Sequence, residues 1–304
     1  RFSKRELKRR LLLEHLTNRG FLPNYAFPET GVQLNATVNK KSKYDKDNPK
    51  SMAGSNIAIE LVRSARTALR ELAPDNYFYT QGYKLHVTGI NVRDSKQEIR
   101  KFRFCSNCDA LMDISEAPTG NCPKCGDPSW QSESNVHEFL HLTSVKSYNY
   151  ERDARIDDSE DTRKDLKPKL SRHFNFNAHS SKGAHVSDEI PFGIEFFDYV
   201  ILKEANLGIP DSFLSHSRSV KIKGQEIGRE GYITCKLCGK STTSTFKGGK
   251  EKKAEDFHYP YCKKKDVPYK GSPDETFREL FLFRTLQTEA IKILLPTHDF
   301  KTES

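Results

Sequence analysis

Apolar residues recur at helical spacing near the start of the chain. Leu7, Leu11, Leu12 and Leu16 follow a capping-box pair, Ser3 and Glu6, and Gly20 stops the predicted helix. Prolines 23 and 28 then predict an extended stretch. Val32, Leu34, Ala36 and Val38 alternate with polar residues and predict a strand, whereas the polar run 39–55 reads as a loop. Ile57, Leu61, Ala65, Ala68, Leu69 and Leu72 predict a second helix over 56–72, ended by Ala73-Pro74. From Tyr77 the period becomes two. A hairpin turning at Gly82 is expected over 77–90, and Ile99–Phe104 reads as a strand running into a Cys pair. Residues 136–150, 169–177 and 185–203 are rich in β-formers, and 153–165 is a densely charged loop. The last segment, 277–296, fits either a helix through Leu280, Arg284 and Gln287 or a strand through Ile291, Ile293 and Leu295.

This patterning predicts an α+β fold, a mixed or antiparallel sheet with few helices. It divides into a region of helices and strands over 1–98, an inserted Cys-rich ribbon over 99–130, and a β-rich region over 131–304. Apolar residues make up 35% of the 304 and mean hydropathy is −0.74, so loops and solvated surface must be extensive. No apolar run is long enough to span a bilayer, so no membrane partner is expected. Opening on Arg1 without a charged-then-apolar leader, the chain reads as a segment of a longer, cytoplasmic protein.

All seven cysteines fall into two clusters, and an odd number argues against a disulfide framework. Cys105-Ser-Asn-Cys108 and Cys122-Pro-Lys-Cys125 have zinc-ribbon spacing: each C-x-x-C turns two sulfurs toward one ion. Gly126 supplies the positive φ such a turn often needs. Cys235-Lys-Leu-Cys238 with His258-Tyr-Pro-Tyr-Cys262 makes a second, three-Cys-one-His set within 231–262. Two structural zinc ions are therefore expected, because four protein ligands leave no position for an activated water. Trp130, the only tryptophan, is expected to cover the ribbon site.

Two further motifs are weaker. Gly239-Lys-Ser-Thr242 resembles the end of a phosphate-binding loop, but Thr234 stands where the leading Gly is required. His137-Glu-Phe-Leu-His141 matches the H-E-x-x-H of metallopeptidases. That motif needs a helix, and here the flanks alternate like a strand. No catalytic residue is assigned.

The formal charge is +9, and about +6 once both thiolate sites hold zinc, which favours a phosphate backbone as partner. Basic clusters occur among residues 4–10, at Lys40, Lys41 and Lys43, and at Arg100, Lys101 and Arg103. The densest flanks the second metal set. There Lys247, Lys250, Lys252, Lys253, Lys263, Lys264 and Lys265 interleave with Tyr259 and Tyr261, the arrangement a backbone-tracking, base-stacking surface requires.

Gly20-Phe-Leu-Pro-Asn-Tyr-Ala-Phe-Pro28, Arg66-Thr-Ala-Leu-Arg-Glu-Leu-Ala-Pro74 with Tyr79 and Gly82, the Cys/His set at 235, 238, 258 and 262, and residues 283–296 resemble one known region. It is the MrfA-type zinc-binding region that follows the motor in DEAD/DEAH-box helicases and occurs in helicase-associated proteins of phage defence. The resemblance implies an accessory part of an ATP-driven DNA or RNA translocase, with single strands favoured and the motor supplied in cis or by a partner subunit. DNA repair and anti-phage defence are both open. The competing expectations are a zinc-stabilised module that docks a partner protein and, more remotely, the metallopeptidase.

Overall fold

The computed structural model describes residues 31–39, 56–92, 98–156, 168–176, 181–186, 193–208, 220–222, 224–227, 231–242, 246–247, 250–251, 253–266 and 276–294. The helix expected behind Ser3, the extended stretch after it and the Lys40–Lys43 cluster lie outside these residues. In chain order the elements begin with β1 (Val32–Asn39), β2 (Ile57–Arg63), helix α1 (Ala65–Glu71), β3 (Tyr77–Thr80), β4 (Tyr83–His86) and β5 (Gly89–Ile90). Next come β6 (Ile99–Phe104), β7 (Leu111–Asp113), β8 (Val136–His141), β9 (Ser144–Tyr150) and helix α2 (Glu151–Ala154). These are followed by β10 (Leu170–Phe176), β11 (Ser181–Val186), β12 (Gly193–Asn206), β13 (Val220–Ile222) and β14 (Gln225–Ile227). The last are β15 (Tyr232–Cys235), β16 (Ser241–Thr242), β17 (Phe246–Lys247), β18 (Lys250–Glu251), helix α3 (Ala254–Phe257) and β19 (Thr276–Leu294). The described chain is thus mostly sheet with few helices, and none of its helices is long and apolar enough to cross a membrane.

The chain divides into two compact units, one of residues 28–171 and 204–284, the other of 1–27, 172–203 and 285–304. In the first unit, β1 lies between antiparallel β2 and parallel β9, and β9 pairs with β5 to close a four-stranded sheet. The inward residues of β1, Val32, Leu34, Ala36 and Val38, are all buried, each large one contributing on the order of 1.5–3 kcal/mol. They pack with Leu69 of α1, Leu72 just after it, Leu85 of β4 and Val145 of β9. A second sheet of the same unit is built around β8, between antiparallel β6 and the parallel first half of β19. Its middle strands are buried on both faces. Leu140, Leu280 and Leu282 join the core just described, while Phe102, Phe104, Phe139, Phe281 and Phe283 form an aromatic cluster on the other side. Arg284 and Glu204 are also buried and pair with each other, as a buried charge must.

Residues 57–63 correct the sequence reading. They form a strand, and the helix begins only after Ser64. Ile57, Ile59 and Leu61 satisfy period two as well as period four, and β1 offers seven antiparallel partners, from Val38 opposite Ile57 to Val32 opposite Arg63. Pairing decided the ambiguity, and it leaves Val62 69% exposed on the outward face. The hairpin of β3 and β4 turns at Gln81 and Gly82, both with positive φ, as a two-residue turn of this hand requires. Residues 276–294 are one continuous strand, which resolves the helix-or-strand choice.

In the other unit, β10, most of β12 and the second half of β19 are sheet neighbours, and β11 also pairs with β12. Phe197 and Val200 are buried, while Val186, Phe196, Ile291, Ile293 and Leu294 remain exposed.

Candidate metal centres

Three C-x-x-C turns share one backbone geometry. The N–H of the first Cys donates to the carbonyl five residues on: Cys105 to Ala110 at 2.9 Å, Cys122 to Asp127 at 2.9 Å, and Cys235 to Lys240 at 3.0 Å. The N–H of Gly126 donates to Cys122 and that of Gly239 to Cys235, and both glycines have φ of 77°. That conformation strains any residue with a Cβ, so the Gly after each of these turns has a steric reason. Each turn folds the chain so that two sulfurs converge.

They converge on two points. Cys105, Cys108, Cys122 and Cys125 form one group, and Cys235, Cys238, His258 and Cys262 the other, with ligand atoms in each within 4.8 Å of one another. Sulfur separations are 3.5 Å for Cys105–Cys125 and 3.6 Å for Cys108–Cys122. A metal–sulfur bond of about 2.3 Å implies a tetrahedral edge of about 3.8 Å, while a disulfide needs about 2.05 Å. The spacing therefore suits a metal and excludes a bond between sulfurs. His258 turns Nδ1 toward Cys262 Sγ at 3.7 Å, which places Nδ1, the ring nitrogen facing the other three side chains, to ligate an ion held there. Both groups can hold a metal ion through four side chains of this chain.

Their surroundings differ. The first centre sits between the β6–β7 hairpin and the turn at Cys122. Trp130 is fully buried against Cys105, Cys122 and Ala110, and its indole N–H donates to the Pro118 carbonyl at 3.2 Å. It covers the site as expected. Cys125 remains exposed and lines an open cleft of about 800 Å³ with Asn107, Asp127 and Ser129. The Asp127 backbone N–H holds the Cys125 thiol down to about 7, whereas burial pushes Cys105 up to about 11. In the second centre all four ligands are buried. A hydrogen bond from Cys238 draws Cys235 down to about 4 and leaves the shared proton on Cys238.

The second centre is docked on β5. Ile90 N–H donates to the Gly239 carbonyl at 2.8 Å and Ser241 N–H to Thr88 at 3.0 Å. The Tyr259 hydroxyl is 2.8 Å from the Thr88 hydroxyl, which also accepts from the Tyr148 backbone N–H at 3.0 Å. Thr88 and Lys240, whose amine donates to the His258 carbonyl at 3.3 Å, are structural partners that the cysteine spacing does not reveal.

Tyr259 corrects its expected role. It is buried and bonded through its hydroxyl, so its ring packs under the site instead of stacking on a base. Tyr261 is 64% exposed and stacks on it, with centroids 5.3 Å apart and planes 11° from parallel. Lys253, Lys263 and Lys265 are exposed and Lys264 is half-buried. Lys252 and the side chains of Lys247 and Lys250 lie outside the described residues.

The peptidase motif fails on geometry. His137–His141 is strand β8, so Glu138 points to the opposite face from both histidines and cannot serve a metal held by them. The two rings pack against Phe281 and Phe283 at 5.0 and 5.3 Å, and burial lowers both their pKa values. Neither belongs to a metal-holding group among the described residues. No family model, curated protein or solved structure matches this chain.

Proposed function

We propose that this chain is a zinc-stabilised accessory region of an ATP-dependent DEAD/DEAH-box-type translocase, acting in DNA repair or anti-phage defence. Its role is to grip the phosphate backbone of a nucleic acid, and it performs no chemistry of its own. Both metals are zinc, the ion that such Cys-rich tetrahedral sets select. The first site is a zinc ribbon. Each ion is saturated by four protein ligands, so each stabilises the fold and activates no water.

The observation that carries the reading is the exposure of Lys253, Lys263 and Lys265 around a fully buried second centre. Buried ligands hold the loop still, and the lysines it carries reach solvent. Charges fixed in this way attract phosphates without selecting bases. The exposed apolar residues of β11, β12 and β19 support a second reading in which another surface docks the motor or a partner subunit.

Fluorescence anisotropy with a labelled mixed-sequence single strand, without ATP, tests the grip. Binding in about the micromolar range at low salt is expected, weakening steeply as salt rises. Lys263→Glu with Lys265→Glu should reduce the slope of log affinity against log salt by about 1.4 for two lost phosphate contacts. No binding by the wild type at 50 mM salt (a concentration of the order used for such tests) would reject the nucleic-acid reading in favour of protein docking.

A further inference from the structure

Strand β9 carries Lys146, Tyr148 and Tyr150 on its outward face, while Val145, Ser147 and Asn149 are buried. Tyr148 packs edge-on against Tyr150 at 6.0 Å and against Tyr259 at 6.2 Å, and Tyr259 in turn supports Tyr261. Four tyrosines, of which Tyr148 and Tyr150 are half-buried and Tyr259 is buried, thus form a continuous row from the outward face of β9 to the second metal centre. We propose that this row is a track for a single-stranded nucleic acid, with Tyr261 the principal base-stacking residue and Tyr148 and Tyr150 continuing the path across the sheet. The inference rests on the nucleic-acid reading above and names the groups that would meet the bases.

Three observations carry it. The first is rigidity. Tyr261 lies between two metal ligands, His258 and Cys262, and after Pro260, and it rests on a Tyr259 pinned through Thr88 to β9. An aromatic ring held in place before binding loses little entropy when a base covers it. The second is exposure, since 64% of Tyr261 is open to solvent. The third is charge. Lys253, Lys263 and Lys265 are exposed around the loop, and Lys146 stands on the same face of β9 as the tyrosines. Lysines outnumber the acidic residues flanking the loop, Glu251, Glu255, Asp256 and Asp266, and Asp256 is occupied in accepting the Lys253 backbone N–H at 3.2 Å. Rings interleaved with lysines suit stacked bases and phosphates, whereas protein interfaces are depleted of lysine.

The test uses the whole chain and a 12-nucleotide thymine strand, labelled for anisotropy, with a second strand carrying 2-aminopurine to report stacking. Tyr261→Ala should weaken binding about 5- to 150-fold, the range of one lost base–aromatic stack. It should leave the salt slope unchanged, because no phosphate contact is lost. Tyr261→Phe should bind within about twofold of wild type, and Tyr150→Ala should fall between the two. The 2-aminopurine quench seen with wild type should disappear in Tyr261→Ala. Zinc content, measured on the same samples, should not change. Should Tyr261→Ala lose zinc, Tyr261→Leu against Tyr261→Phe decides, and equal binding by these two overturns the proposal. Wild-type affinity in Tyr261→Ala, with the lysine reversals still damaging, overturns the stacking track and leaves the phosphate grip standing. Failure of the wild type to bind removes both.

Discussion

A single exposed sulfur separates the two centres at the scale of residues. Cys125 faces a cleft while Cys105 and Cys122 are buried and Cys108 is half-buried, and every Cys and His of the second centre is buried. A thiol reagent or chelator reaches a site through its most accessible ligand, and a thiolate reacts where it is exposed. Elemental analysis should find two zinc ions per chain. Under a limiting alkylating reagent, the first zinc equivalent should leave together with modification of Cys105, Cys108, Cys122 and Cys125. Cys235, Cys238 and Cys262 should react later, as peptide mass spectrometry would show. Simultaneous modification of both sets would contradict the difference in shielding.

At the scale of elements, the contact between β5 and the second centre is the tightest backbone approach that the site depends on. A Cβ on Gly89 would stand 2.5 Å from the Gly239 carbonyl oxygen and 2.7 Å from the Tyr259 hydroxyl. Both neighbours are fixed, one by the metal turn and the other by Thr88, so the strand or the centre must shift. Gly89→Ala should therefore destabilise by about 1–3 kcal/mol, the usual cost of overpacking. That is a fall in melting temperature on the order of 2–10 °C. Gly239→Ala should cost more, since it adds a positive φ to a clash with the Ile90 carbonyl. Calorimetry on both variants would check the order, and an unchanged melt for Gly89→Ala would show that the contact is slack. Elements also explain the one strand mistaken for a helix. Residues 57–63 carry apolar positions that satisfy either period, and a partner strand 19 to 31 residues away in the chain, from Val38 opposite Ile57 to Val32 opposite Arg63, selects between them.

For the molecule as a whole, the two candidate metal centres tie together different amounts of structure. The first closes a lobe around Trp130 within residues 105–130, tied beyond them by the Gly224 N–H donating to the Ser106 carbonyl at 2.8 Å. The second joins elements of both sheets in its unit. Cys235 ends β15, which pairs with β19, while the turn that follows is bonded to β5 and so reaches β9. Cys238→Ser should thus lower the melting temperature and protease resistance of the whole unit. Cys108→Ser should expose cleavage sites mainly within 105–130, because the removed thiolate loosens only its own lobe. Circular dichroism melting with limited proteolysis would separate them, and equal global loss would place the first centre in the main core as well.

Both ligand sets were legible in the sequence because their information is local: a C-x-x-C turn and the Gly after it are specified by neighbours in the chain. The alternation in β1, the hairpin at Gly82 and the mostly-sheet composition were legible for the same reason, since period and turn chemistry are short-range properties. Tertiary structure decided what depends on distant partners. Tyr259 and Tyr261 have the same sequence credentials, yet Thr88 draws one ring inward and leaves the other in solvent. Lys146, Tyr148 and Tyr150 became an outward row only when β9 paired with β1 and the second centre settled beside β5. His137 and His141 became half-buried partners of Phe281 and Phe283 once β8 was paired on both edges. Burial is a property of the assembled sheet, and no local pattern specifies which face of a tyrosine or a histidine will find another strand above it.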